Sequence, residues 1–237
     1  MAISIIPEEI PNYVSRIVKA GKVPLTTGPP GLGKSWNHKL VADTFKLFFI
    51  DLRLTSCEPP DVNGLIAHKG NKSTYNPMDI FPLQDDPIPE GYEGWYICCD
   101  EFTSIGDDMQ AAMYKLILDR MVGQHKLHPR CILAAAGNEL DQGAIVHEMS
   151  SALASRFIHL HVRSDLKSFL KVSMTLDMDH RIRSFLNFKP SNLNNFSPDQ
   201  LALEDTYACE RTWHFLSDLM KFTKPDEKEA LARSPAE

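Results

Sequence analysis

Residues 28–35 read Gly28-Pro29-Pro30-Gly31-Leu32-Gly33-Lys34-Ser35, with the apolar run Val23–Thr27 before them and a helix-compatible stretch, Ser35–Phe45, behind. Glycines at these places let the backbone turn so that successive N–H groups point inward. The helix that follows adds the positive end of its dipole, and together they form a cradle for anions. The spacing G-x-x-x-x-G-K-[ST] between a strand and a helix is the arrangement that surrounds the phosphates of a nucleoside triphosphate. In that arrangement Lys34 reaches the β- and γ-phosphates and Ser35 holds Mg²⁺. Gly28 to Ser35, with Trp36 directly after, are therefore the expected nucleotide-binding residues.

A second signal is Trp95-Tyr96-Ile97-Cys98-Cys99-Asp100-Glu101, an apolar strand ending in two carboxylates. Beside a phosphate loop, the strand end predicts Asp100 next to Ser35, orienting the water shell of Mg²⁺. Glu101, slightly further out, is placed to polarise an attacking water as a general base. That adjacent base favours hydrolysis over transfer to a small acceptor. A third signal is Cys131-Ile132-Leu133-Ala134-Ala135-Ala136-Gly137-Asn138, a buried strand ending in an amide that would face the γ-phosphate.

Strand-like runs recur at Val23–Thr27, Leu47–Leu52, Trp95–Cys99, Cys131–Ala136 and Phe157–Val162, with helical segments between them. This alternation predicts a five-stranded parallel α/β sheet with helices on both faces. Ile10–Ala20 has a helical period. The stretch from about 55 to 94 is rich in Pro, Gly, Asn and Asp and reads as an insertion on the surface. After Arg163 only helical patterns follow, at Asp165–Met178, His180–Asn187 and Glu210–Phe222. The expected organisation is a core over 1–163, an α-helical lid over 164–223 and a disordered polar tail over 224–237.

Net charge is −6 over 237 residues, which provides no global pull toward nucleic acid or anionic lipid. The five cysteines form no C-x-x-C pair, and adjacent Cys98 and Cys99 must point to opposite faces of a strand, so packed reduced thiols are expected rather than a metal site. His159 and His161 share a strand face but lack obvious carboxylate or cysteine companions. The N-terminus lacks the basic region of a signal peptide, and no apolar stretch approaches the ~18 residues of a membrane span. A cytoplasmic protein with no membrane contact is expected.

The order of motifs resembles that of the AAA+ ATPases, and the local wording resembles their MoxR-like branch. The resemblance rests on the phosphate loop, Asp61 to Gly64, the Asp100-Glu101 strand end, Gln110 to Leu116, Ala135 to Asn138, Leu153 to Phe157 and Arg211-Thr212-Trp213. It implies ATP as nucleotide, Asn138 as the sensor of the γ-phosphate, and Arg156 as a finger completing the site of a neighbouring subunit. It also implies that Arg211, on the lid, contacts the γ-phosphate in cis, although Glu210 beside it could divert it. Arg120, at the end of the helix after Asp100-Glu101, is a secondary candidate for a subunit face. The expected activity is ATP hydrolysis by a ring, a hexamer, that remodels a protein client, which in MoxR-like systems is often a von Willebrand factor A domain protein. Two alternatives remain open: a nucleic-acid motor or loader on the same core, and a nucleotide-gated adaptor with little turnover.

Overall fold

The computed structural model describes residues 2–139, 147–196 and 206–222. Its centre is a parallel sheet of six strands: β1 (Ala2–Ile5), β2 (Val23–Thr27), β3 (Leu47–Arg53), β6 (Gly94–Asp100), β9 (Cys131–Gly137) and β10 (Phe157–Val162). They are ordered β1-β10-β2-β9-β6-β3. The five expected strands are all present, and the sheet exceeds the expectation by one. The extra strand, β1, is a four-residue edge strand pairing in parallel with β10, Ile3 opposite Leu160. It is too short to generate a periodic signal.

The inner strands are buried on both faces, so their sequences are continuously apolar. In β6, Trp95, Ile97 and Cys99 face one helical layer, while Tyr96 and Cys98 face the other. The first layer contains α3 (Pro59–Asn63), α4 (Asp107–Asp119) and α5 (Ser151–Ala154), contributing Val62, Met113, Leu116 and Leu153. The second contains α1 (Ile10–Lys19) and α2 (Lys34–Thr44), contributing Ile10, Val14, Val41 and Ala42. Cys98, Cys99 and Cys131 lie inside these layers, and burial pushes all three thiols up, Cys131 to about 12. They pack as small apolar side chains.

The insertion is more ordered than its composition suggests. Besides α3 it holds an antiparallel hairpin, β4 (Leu65–Lys69) and β5 (Lys72–Asn76), turned by Gly70 and Asn71. Gly70 takes φ +62 there. A smaller hairpin, β7 (Met121–Val122) and β8 (His125–Lys126), braces it through Gln124 to Thr74 and through His125 Nε2 to the Tyr75 carbonyl, 3.0 Å.

After β10 come α6 (Leu166–Thr175), α7 (His180–Phe188) and α8 (Glu210–Phe222), which share an apolar cluster of Phe169, Met178, Ile182, Leu186, Leu193 and Met220. Asp165 caps α6, accepting from the Ser168 amide at 2.8 Å. Trp213 Nε1 donates to the carbonyls of Asn192 and Leu193 at 3.0 and 3.1 Å, tying α8 to the segment behind α7. The expected tail, 224–237, lies outside the described residues.

Candidate active site

The loop between β2 and α2 turns through Gly31 and Gly33, both in the left-handed region at φ +86 and +72. α2 then starts at Lys34, so the N–H groups of its first turn, which have no partner within the helix, lie at the end of the loop. Lys34 is buried, and its Nζ donates to the carbonyls of Gly28 (2.7 Å) and Pro29 (2.8 Å) and to Asn138 Oδ1 (3.2 Å). Burial pulls its amine down to about 8. Asp100 opposes that pull, whereas Arg211 adds to it.

Beneath the loop, α2 is pinned to the sheet by a buried chain. Thr26 Oγ1 donates to the Ala135 carbonyl at 3.3 Å and lies 2.8 Å from His38 Nε2, whose Nδ1 lies 2.6 Å from the Tyr96 hydroxyl. Since the Thr26 proton is committed to Ala135, Nε2–H donates to Thr26 and Nδ1 accepts from Tyr96. Burial holds the His38 pKa down to about 4, so the ring is neutral.

The strand ends supply the acidic groups. The Ser35 hydroxyl donates to Asp100 Oδ2 at 2.6 Å, while Asp100 Oδ1 accepts from the Glu101 amide at 2.9 Å. A hydroxyl beside a carboxylate is a set of hard oxygen donors that suits Mg²⁺, which keeps several waters and needs few protein ligands. These two residues would hold the ion, whose charge would neutralise phosphate oxygens. Glu101 adopts a left-handed backbone, φ +57, a conformation that costs a non-glycine residue about 1–3 kcal/mol. Its carboxylate accepts a hydrogen bond from Thr55. Asn138 is positioned by Thr103, whose hydroxyl accepts from the Asn138 amide at 2.9 Å. Gly137 permits this approach, since a Cβ there would meet Thr103 Oγ1 at 2.4 Å.

These groups surround one cavity of about 490 Å³, lined on the other side by the C-terminal helices. The structure brings together Pro30 to Ser35, Trp36, Asp100, Glu101, Asn138 and Arg211 on its walls. Trp36 is half-exposed there. Gly28 and Pro29 take part through their carbonyls on Lys34. Glu210 does not divert Arg211: it is buried, accepting from Ser164 and, at 3.1 Å, from Asn194 Nδ2. Arg211 stays exposed at the cavity.

Arg156 is not brought into this cavity. It sits just before β10, exposed, with no ion pair among the described residues. Arg120, half-buried at the end of α4, donates through its guanidinium to the Cys131 carbonyl of its own chain. His161 has a carboxylate companion after all: its Nδ1 lies 2.8 Å from Glu139 and 3.2 Å from Thr27 Oγ1.

The sequence reading missed Thr55, Thr103 and His214. The first two act across 46 and 35 positions of chain, a separation without local signal. His214 lines the cavity three residues after Arg211, on the same helix face, a spacing that could have revealed it.

Parallel sheet, phosphate loop, paired carboxylates and C-terminal helices define the AAA+ P-loop NTPase fold. Comparison with solved structures agrees. The chain is similar to a candidate ATPase from Cytophaga hutchinsonii, with TM-score 0.53 and 18% identity over 74% of this chain and 52% of that one. It is also similar to a point mutant of RuvB from Thermotoga maritima, with TM-score 0.50 and 15% identity over 94% of this chain and 73% of that one. The chain thus spans about half the length of the first of these. No protein-family profile and no curated protein matches its sequence. Among the described residues, no helix is long and apolar enough to cross a membrane.

Proposed function

We propose that this chain is a Mg²⁺-dependent ATPase that works as a ring, a hexamer by its MoxR-like resemblance, and remodels a protein client in the cytoplasm. The observation that carries the reading is the convergence on one cavity of a phosphate-binding amine (Lys34), a metal-binding pair (Ser35, Asp100), a base (Glu101) and an amide (Asn138). Lys34 and Arg211 would hold the phosphates, Glu101 would take a proton from the attacking water, and Asn138 would report the γ-phosphate through its contact with Lys34. Arg156, exposed and without an ion pair among the described residues, is what a finger acting on a neighbour's nucleotide requires. A von Willebrand factor A domain protein is the client that the resemblance suggests.

Glu101→Gln keeps the shape of the side chain and removes the base. ATP binding, followed by calorimetry, should be unchanged, and hydrolysis should fall by roughly 10² or more. Normal turnover would remove Glu101 from its role. The exposed Lys69 and Lys72 on the β4–β5 hairpin, with His68 beside them, favour a second reading, a nucleic-acid motor. Turnover stimulated by DNA in a salt-dependent way would promote it.

A further inference from the structure

The cavity has two kinds of wall. One is the phosphate side already described. The other is made by Pro7 and the C-terminal helices: Phe169, Val172 and Leu176 give it an apolar patch, with His214 beside them and Asp165, Glu210 and Arg211 at its polar end. Burial lowers the His214 pKa, favouring the neutral ring, which packs edge-on against Phe169 with centroids 5.8 Å apart.

Ser168 belongs to this second wall. It lies in the first turn of α6, 2% exposed, and its amide is taken by the Asp165 cap. Its hydroxyl oxygen is shielded from solvent and has no hydrogen-bond partner, the only buried side-chain oxygen or nitrogen in that position among the described residues. Other hydroxyls on the same helix satisfy themselves. Ser173 donates to the Leu170 carbonyl at 2.7 Å and Thr175 to the Lys171 carbonyl at 3.3 Å. Folded chains leave few such groups unpaired, and a ligand is one reason for an exception.

We propose that Ser168 reads the base of the bound nucleotide: the apolar wall takes the ring of the nucleobase, and a polar edge of that ring completes the Ser168 hydroxyl. The assignment rests on the site taking a nucleoside triphosphate, as argued above. A hydroxyl offers one donor and two acceptors, so it pairs with the edge of adenine or of guanine. Ser168 therefore adds affinity for a base and discriminates little between the two purines.

The test is calorimetric titration of the full chain and of Ser168→Ala with ATP, GTP and inorganic tripolyphosphate, each with Mg²⁺, beside melting curves without ligand. The variant should bind ATP and GTP about five- to tenfold more weakly, the effect of one buried hydrogen bond. Tripolyphosphate, which has no base, should bind both proteins alike. The unliganded variant should melt at the same temperature or higher, because an unpaired polar group has been removed. Unchanged ATP affinity, an equal loss for tripolyphosphate, or a lower melting temperature would each overturn the assignment. If the wild type bound tripolyphosphate as tightly as ATP, the base wall would fall while the phosphate site stood. If it bound neither, the proposed function would fall first and this assignment with it.

Discussion

Cys209 rests directly on Gly31: a Cβ added to Gly31 would lie 2.6 Å from the Cys209 sulfur and 3.4 Å from the Arg211 Cβ. The chain leading into α8 is thus in contact with the phosphate loop. Gly31→Ala should fail on two counts, collision with Cys209 and a left-handed backbone that costs an L-residue about 1–2 kcal/mol. Nucleotide affinity should fall by about tenfold or more, with a lower melting temperature. Adding Cys209→Ala should recover the part due to collision and leave the backbone part. Full recovery, or none, in a double-mutant cycle would contradict this division.

Lys34 should make the proposed nucleotide binding depend on pH. Its amine, held down to about 8, must be charged to meet phosphate. Affinity for Mg²⁺-ATP should therefore fall as pH rises above 8, by up to about tenfold per pH unit. Stability of the free protein should move the opposite way. In the unfolded chain Lys34 keeps its proton to a higher pH than in the fold, so between about 8 and its ordinary value the folded state gains stability as pH rises. Calorimetry and thermal melts over this range would show opposite slopes. Lys34→Met should remove this residue's contribution to the melting slope.

His38 sets a window in acid. Its folded pKa, about 4, lies below its ordinary 6.5, so the unfolded chain binds the extra proton first. Its share of the stability is present above pH 6.5 and is lost as pH falls toward 4. His38→Gln should be less stable at pH 7, where a buried network is broken. The difference from wild type should shrink in acid. A constant difference across pH 4 to 7 in denaturant melts would show that the fold does not lower the His38 pKa.

How far the sequence revealed this arrangement depended on burial. β6 and β9 were legible because strands buried on both faces are continuously apolar, and the loop because its function demands particular residues in order. The β4–β5 hairpin was hidden because it buries neither face: Leu65, Ile66 and Tyr75 are exposed together with His68 and Lys72, leaving no alternation to read. Its available signal was the two-residue Gly70-Asn71 turn between Lys69 and Lys72. The site was legible where one residue type does one job, as at Lys34, Ser35 and Asp100. Thr55, Thr103 and Ser168 are ordinary hydroxyls made significant only by what the fold brings beside them.

Arg156 can be tested by mixing. Alone, Arg156→Ala should bind ATP normally and hydrolyse it roughly 10³-fold more slowly. Mixed one to one with Glu101→Gln, itself inactive, it should regain activity. Wherever an Arg156→Ala subunit borrows the neighbour's intact Arg156, its own Glu101 can act. Random assembly makes roughly a quarter of interfaces competent. No recovery from mixed subunits would show that Arg156 serves its own protomer or none.

The strand β10 begins beside Arg156 and ends at Val162, whose carbonyl would lie 2.3 Å from a Cβ on Gly28; three residues later Asp165 caps α6. Six residues at about 3.3 Å each make a bar of about 20 Å, hydrogen-bonded on both sides by β1 and β2. Such a bar transmits rather than absorbs. In the proposed ring, the arginine offered to one neighbour would therefore be held at a fixed span from the phosphate loop and from the start of the C-terminal helices of its own protomer.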